Sequence, residues 1–103
     1  MTTLHRLMIE DIAGKNLITV DGLNLDMDAS ARFVKGKYTG IDMTTIDISD
    51  IAIMTNEGEL LYLESYKLPQ AFYAKVEKAV IAIAMTMAEK TPDHEWDMTE
   101  VNS

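Results

Sequence analysis

The chain has 103 residues, no cysteine and a formal net charge of -8 at pH 7. This length suits a single domain, and the lack of cysteine excludes a disulfide framework, a thiolate metal site and a cysteine nucleophile. The sequence starts without a signal-peptide pattern, and its apolar runs fall far short of the roughly 20 residues of a membrane span. We therefore expect a soluble, cytoplasmic protein with no membrane partner. The acidity disfavours direct binding to nucleic acid, because phosphate groups would be repelled.

The first third of the chain predicts strands that are joined by tight turns. Residues 4–12 are expected as the first strand and residues 13–16 as a turn. Residues 17–20 and 23–27 flank Asp21-Gly22. This dipeptide predicts a β-hairpin, because both central positions of a type I′ turn need a positive φ. Polar and apolar residues alternate in the second arm, which indicates a strand with one solvated face.

The middle of the chain is also rich in strand signals. Residues 29–40 show no clear pattern, so a strand and a loop both stay open. Residues 41–48 are rich in β-branched side chains and predict a strand that breaks at Ser49-Asp50. Residues 51–64 predict a second hairpin, in which Gly58 suits a left-handed position in the loop.

The last third of the chain predicts one long helix over residues 68–90. Pro69 fits its first turn, and Thr91-Pro92 ends it. The fold class that follows is α+β, with an antiparallel sheet of about five or six strands packed by one long C-terminal helix. Residues 1–90 are expected to form the domain, and residues 91–103 an acidic C-terminal tail that carries half of the net charge.

The predicted helix is apolar on two sides. Phe72, Val76 and Val80 belong to a face with helical spacing that is expected to pack on the sheet. A second ridge lies roughly opposite and is expected at an oligomer interface, most simply in a homodimer. Two alternatives stay open: its alanines face water as good helix formers, or the tail covers it. The ridge consists of Ala74, Ile81, Met85 and Ala88.

One short segment is basic and aromatic although the chain is acidic. Cations of this kind bind phosphate, and aromatic rings can stack on bases. The segment therefore predicts an anion or nucleotide site as one alternative. The other is a solvated strand-loop whose rings enter the core, and we favour it because the surrounding field is negative. The residues concerned are Arg32, Phe33, Lys35, Lys37 and Tyr38.

The acidic tail contains the only tryptophan of the chain. An aromatic anchor among acids is typical of docking onto a basic protein, in which the ring supplies buried contact and the charges raise the association rate. The competing interpretation is that the ring folds back onto the helix. The residues expected to bind a partner are Asp93, Glu95, Trp96, Asp97 and Glu100.

No motif in the chain predicts catalysis, a metal or a cofactor. The aspartates around residues 21–28 recur with strand alternation and lack the glycine and closing glutamate of a calcium loop. The two histidines have no partner at ligand spacing, and no nucleophile elbow or phosphate loop is present.

The leading hypothesis is a noncatalytic acidic protein-protein interaction module, such as an inhibitor, an immunity protein or a phage anti-defence protein, that binds a basic partner such as a nuclease. The alternatives are the nucleotide-binding protein and a structural subunit of a larger assembly.

Overall fold

The computed structural model describes residues 2–36 and 39–101, and the side chains of residues 3–36 and 39–98. It confirms the α+β prediction, because one long helix packs against one five-stranded antiparallel sheet. The strand order across the sheet is fourth, third, second, first, fifth. The elements are β1 (Thr2–Val20), β2 (Leu23–Gly36), β3 (Asp42–Met54), β4 (Leu60–Tyr62), α1 (Gln70–Lys90) and β5 (Asp97–Val101), with short 3-10 helices at Ser65–Lys67 and Asp93–Glu95.

A long hairpin of β1 and β2 is the centre of the sheet. Its turn is the one predicted at Asp21-Gly22, with φ values of 51° and 82°. The turn predicted at residues 13–16 is wrong, because β1 continues through it. The pairing of β1 with β2 shifts register between Gly14 and Ile18, and Asn16 has a φ of 51°. A bulge thus absorbs the turn-forming residues without ending the strand.

Two further predictions for the sheet are decided by the pairing of β2 with β3. The segment left open as strand or loop is strand up to Gly36, and residues 37 and 38 lie outside the described part of the chain. The break predicted at Ser49-Asp50 is wrong, since β3 continues to Met54. The register shifts there, and the Ser49 hydroxyl donates a 3.0 Å hydrogen bond to the Asp28 carbonyl. This is again a bulge within a strand.

One hydrophobic cluster holds the helix on the sheet. Its strand members alternate along β2, as expected for a strand that buries one face. The buried members of the cluster are Ile12, Ile18, Val20, Leu25, Met27, Ala29, Ala31, Phe33, Ile51, Val76, Val80, Ala84, Ala88 and Trp96.

The buried line of α1 differs from the predicted face. Val76, Val80, Ala84 and Ala88 are fully buried and follow each other at a spacing of four residues. A row of this spacing is inclined to the helix axis, so the buried line winds from the predicted face towards the opposite ridge. The assignment of Ala88 to an oligomer interface is therefore wrong, because its side chain is 1% exposed in the core.

The other ridge residues are not among the fully buried core residues, although Met85 packs against the core cluster. Ala74 is exposed, whereas Ile81 and Met85 are half-buried. The most exposed side of the helix also carries Lys75 and Lys78. A single elongated sheet thus covers more of the helix than the sequence suggests. The homodimer stays a prediction, and the apolar surface left for its interface is smaller than the predicted four-residue ridge.

The molecule is elongated, with extents of 56 × 25 × 18 Å and a radius of gyration of 16.2 Å. A compact domain of this length has a radius of gyration of about 13 Å. At 1.5 Å per residue, α1 is only about 32 Å long. One helix packs mainly against β1, so the second face of the sheet stays open and β3 is covered only in part.

The turn of the long hairpin gives a first test of the fold. Gly22→Ala is expected to lower the free energy of unfolding by about 1–2 kcal/mol, because an L-residue is strained at a φ of 82°. Gly40→Ala is a matched control, since an added Cβ meets no atom within 4 Å at either glycine and the φ of Gly40 lies outside the left-handed region. Urea unfolding measures both. Equal effects of the two substitutions would contradict the turn.

A second test separates two alanines of the predicted ridge. Ala88→Leu is expected to lower the free energy of unfolding by about 1–3 kcal/mol, because extra methyl groups overpack a filled core. Ala74→Leu, on the exposed side of the same helix, should change it by less than about 0.5 kcal/mol. Chemical denaturation of the two variants decides the matter, and a destabilised Ala74 variant beside a stable Ala88 variant would reverse our assignment.

Candidate functional site

The segment expected to be a free acidic tail is part of the sheet. β5 pairs antiparallel with the start of β1, from Arg6 opposite Asp97 to Thr2 opposite Val101. The helix packs mainly against β1, and the chain that follows it pairs with the outer edge of that strand. Residues 91–101 therefore belong to the fold, whereas residues 102 and 103 lie outside the described part of the chain.

Trp96 is a core residue and not an exposed anchor. Its side chain is 4% exposed and belongs to the hydrophobic cluster. The indole N–H donates a 3.3 Å hydrogen bond to the carbonyl of Thr91, just after the helix. The ammonium group of Lys35 lies 4.2 Å from the ring centroid, at cation–π distance. The prediction that Trp96 contacts a partner is wrong in this conformation, because the ring already covers this protein's own core.

The predicted partner-binding acids have different environments. Asp93 accepts a 2.6 Å hydrogen bond from Lys35, and this ion pair with its positive charge lowers the pKa of the Asp93 carboxyl group. Glu95 and Asp97 are exposed. Glu100 lies in β5, opposite Thr3, and its side chain is outside the described part of the structure.

The corner around Lys35 also contains a histidine. His5 lies opposite Lys35 on β1 and opposite Met98 on β5. Its Nδ1 atom is buried and has no hydrogen-bond partner among the described residues. Lys35 of β2 thus lies opposite His5 of β1 and contacts both Asp93 and the Trp96 ring. Its positive charge is paired within the fold.

The described residues of the basic-aromatic segment, Arg32, Phe33 and Lys35, do not form one site. Phe33 is 1% exposed and lies in the core under the helix, so its ring cannot stack on a ligand. Arg32 is exposed on the opposite face of the sheet, and Lys35 is bound to Asp93. Residues on alternate sides of a strand cannot converge on one anion. The placement of Phe33 in this site is wrong, while Lys37 and Tyr38 lie outside the described residues.

The open face of the sheet carries an acidic surface that sequence reasoning missed. Alternate residues of β2 and β3 point away from the helix, and Asp28 and Asp50 lie directly opposite each other. The carboxylates of this face form none of the three ion pairs found between described residues. We call this group the sheet aspartates: Asp26, Asp28, Asp42, Asp47 and Asp50.

Part of this surface follows from the alternation of polar residues in the sequence. The polar alternation of β2 predicts a solvated face, and in the structure Asp26 and Asp28 are half-buried on the face that points away from the helix. The contribution of β3 was not predicted, because Asp50 was expected in a break and not in a strand. Only the register of the two strands brings their carboxylates together.

Two of the described cations, Arg6 and Arg32, lie on the same side of the sheet as the sheet aspartates. Arg32 lies opposite Thr45, and Arg6 lies near Asp97 at the β5 side of the sheet. Together with neighbouring side chains they line an open cavity of about 230 Å³. β3 itself contains three aspartates and no lysine or arginine. The three acidic side chains of β3 therefore have no basic residue on their own strand.

The ion pair of Lys35 and Asp93 predicts a dependence of stability on pH. The folded state lowers the pKa of Asp93, so the pair stabilises the fold fully above the unfolded-state value of about 3.9. The contribution disappears as the pH falls through the folded-state pKa. Asp93→Asn should be less stable than wild type at pH 7, and the difference should vanish in strong acid. Urea unfolding between pH 7 and pH 2 measures it, with Glu95→Gln as the exposed control.

A constant difference between Asp93→Asn and wild type from pH 7 to strong acid would show that the carboxylate charge does not contribute. In that case the effect of the substitution would come from packing or from the short 3-10 helix at Asp93–Glu95.

Membrane-spanning helices, metal clusters and similarity to known proteins were each assessed for the chain. In the described parts of the chain, no helix is long and apolar enough to cross a membrane. Over the same residues, no three histidine, aspartate or glutamate side chains are grouped so that they could hold a metal ion. Comparison with models of protein families finds none that matches the chain, and neither the curated proteins nor the solved structures compared with it give a match.

Proposed function

We propose that this protein is a noncatalytic acidic protein-protein interaction module that inhibits a basic protein, of which a nuclease is the leading example. The observation that carries the proposal is the acidic open face of the sheet, where Asp28 and Asp50 lie opposite each other and neither forms an ion pair with a cation in the described part of the chain. Like charges at opposite positions of a sheet are destabilising. A basic partner would relieve this repulsion on binding.

The shape of the molecule supports the same proposal. The face that carries the sheet aspartates is open, and the molecule measures 56 Å along its longest axis. An extended charged face suits association with another macromolecule, because complementary charge over a wide surface steers encounter and fixes orientation. A nuclease has a basic surface for its phosphate substrate, and an acidic module on that surface would exclude the substrate.

Binding to an extract of the source cells tests the proposal. The immobilised protein is expected to retain a protein of basic net charge at about 0.1 M salt and to release it at about 1 M, where the Debye length falls from about 10 Å to about 3 Å. The released protein is then purified, and its affinity and its activity are measured with and without this chain. Inhibition of a nuclease by the purified chain is the expected outcome.

Charge-reversal variants provide the controls for this experiment. Glu95→Lys/Asp97→Lys changes the exposed acids near the C-terminus, and Glu57→Lys/Glu59→Lys changes the exposed loop before β4 by the same charge. If the sheet aspartates carry the interaction, both variants should keep most of the affinity. Retention that does not change with salt, or a retained protein that is itself acidic, would contradict the proposal.

A further inference from the structure

The third strand has a free edge along most of its length. The strand order places β3 next to β4, but among the described residues β4 pairs only with residues 52–54 of β3. One more hydrogen bond, from the Leu63 N–H to the Ile51 carbonyl, extends this contact. Residues 42–50 therefore have no strand on that side within the described part of the chain. Every second residue of a strand directs its N–H and C=O groups to one edge, so this edge offers unpaired main-chain groups.

The free edge is apolar on one face and acidic on the other. Met43, Ile46 and Ile48 face the helix side and are only half-buried, because α1 packs mainly against β1. Asp42, Asp47 and Asp50 lie on the open face. A further strand on this edge would continue the core on one side and would stand beside carboxylates on the other.

A cavity and two exposed aromatic residues lie where the free edge meets β4. The cavity has a volume of about 320 Å³ and is lined by residues 48–51 and 62–66. Tyr62 and Tyr66 border it and are 62% and 78% exposed. Tyrosine is enriched at protein interfaces because its ring combines a large apolar area with a polar group. The end of an added strand would meet these rings.

We propose that the edge of β3 at residues 42–50 binds an extended segment of the basic partner as an additional β-strand. This inference rests on the proposed function for the charge of the partner. The bound segment alternates apolar residues, which pack beside Ile46 and Ile48, with lysine or arginine residues, which face Asp47 and Asp50. Main-chain hydrogen bonds supply affinity in this mode of recognition, and alternate side chains supply specificity.

The charge of the edge selects a basic segment over a second copy of this chain. Two copies of β3 paired edge to edge would bring three aspartates from each copy together without a lysine or arginine. Charged residues on an edge strand are a common protection against such self-association. A partner that carries cations removes this penalty.

Two bulges limit the length of the docking segment. The register of β3 against β2 shifts around Thr44 and around Ser49, whose hydroxyl groups donate hydrogen bonds back to carbonyls of β2. Bulges bend a strand and interrupt regular pairing. The regular pairing is therefore centred on residues 45–48, between the two bulges.

A peptide titration followed by amide NMR tests this edge. The probe is an acetylated, amidated peptide of alternating lysine and valine, and its glutamate-valine counterpart is the charge control. We expect the lysine peptide to shift the amide signals of residues 42–50 and the signals of Tyr62 and Tyr66, whereas the glutamate peptide leaves them unchanged. Methylation of every peptide nitrogen removes the main-chain donors and keeps the charge, so this peptide should bind at least tenfold more weakly.

Matched protein variants separate the edge from general charge. Asp47→Lys/Asp50→Lys should weaken binding of the lysine peptide at least tenfold, while Glu57→Lys/Glu59→Lys, with the same change in net charge, should weaken it much less. Circular dichroism and urea unfolding establish that both variants are folded. The proposal would be overturned if both variants weakened binding of the lysine peptide equally, or if the methylated peptide bound as tightly as the unmethylated one. It would also be overturned if the lysine peptide shifted only signals of other elements, or shifted none at millimolar concentration.

The extract experiment distinguishes failure of this inference from failure of the proposed function. If the basic protein binds the edge variant as well as it binds wild type, the edge proposal is wrong and the proposed function stands. If wild type retains no basic protein in a salt-dependent way, the proposed function is wrong. The peptide titration then still reports whether the edge accepts a strand.

Discussion

The packing of one helix along one face of the long β1–β2 hairpin is the constraint on which the rest of this structure depends. The buried row of α1, from Val76 to Ala88, packs on that face and completes the hydrophobic cluster. The helix packs mainly against β1, so the chain after it reaches the outer edge of β1 and adds β5 there. The same placement leaves β3 at the opposite margin of the core. The position of a single helix thus determines both which edge is closed and which edge is open.

The charges of the molecule follow from this arrangement. At the closed edge, Lys35 is held by Asp93 and by the ring of Trp96, so a cation and an acid of the C-terminal segment neutralise each other within the fold. At the open edge, the aspartates of β2 and β3 stand side by side without such partners among the described residues. The net charge is spread along the sequence, and the five sheet aspartates, which form no ion pair among the described residues, share the open sheet face. This difference moves the proposed partner surface from the C-terminal segment to the sheet.

Local signals predicted part of the fold correctly. The Asp21-Gly22 turn, the positive φ of Gly58 and the helix that ends before Thr91-Pro92 were found from the sequence, since each depends on the conformational preferences of a few neighbouring residues. The errors at residues 13–16 and at Ser49-Asp50 have one cause. Residues that favour turns also favour bulges, and the choice between them depends on whether a neighbouring strand continues to pair. Of the predicted interface residues, Ala88 and Trp96 proved to be core, because apolar side chains at a suitable spacing do not reveal which surface covers them.

The sequence by itself determined the α+β class, the long C-terminal helix and the acidity of the chain, because element type follows from residue periodicity and charge follows from composition. The tertiary structure alone decided that the C-terminal segment closes one edge of the sheet, that aspartates from two strands share one face, and that most of β3 keeps a free edge. These features depend on strand order and register, which arise from contacts between residues far apart in the chain. Periodicity within one segment contains no information about which segment will lie beside it.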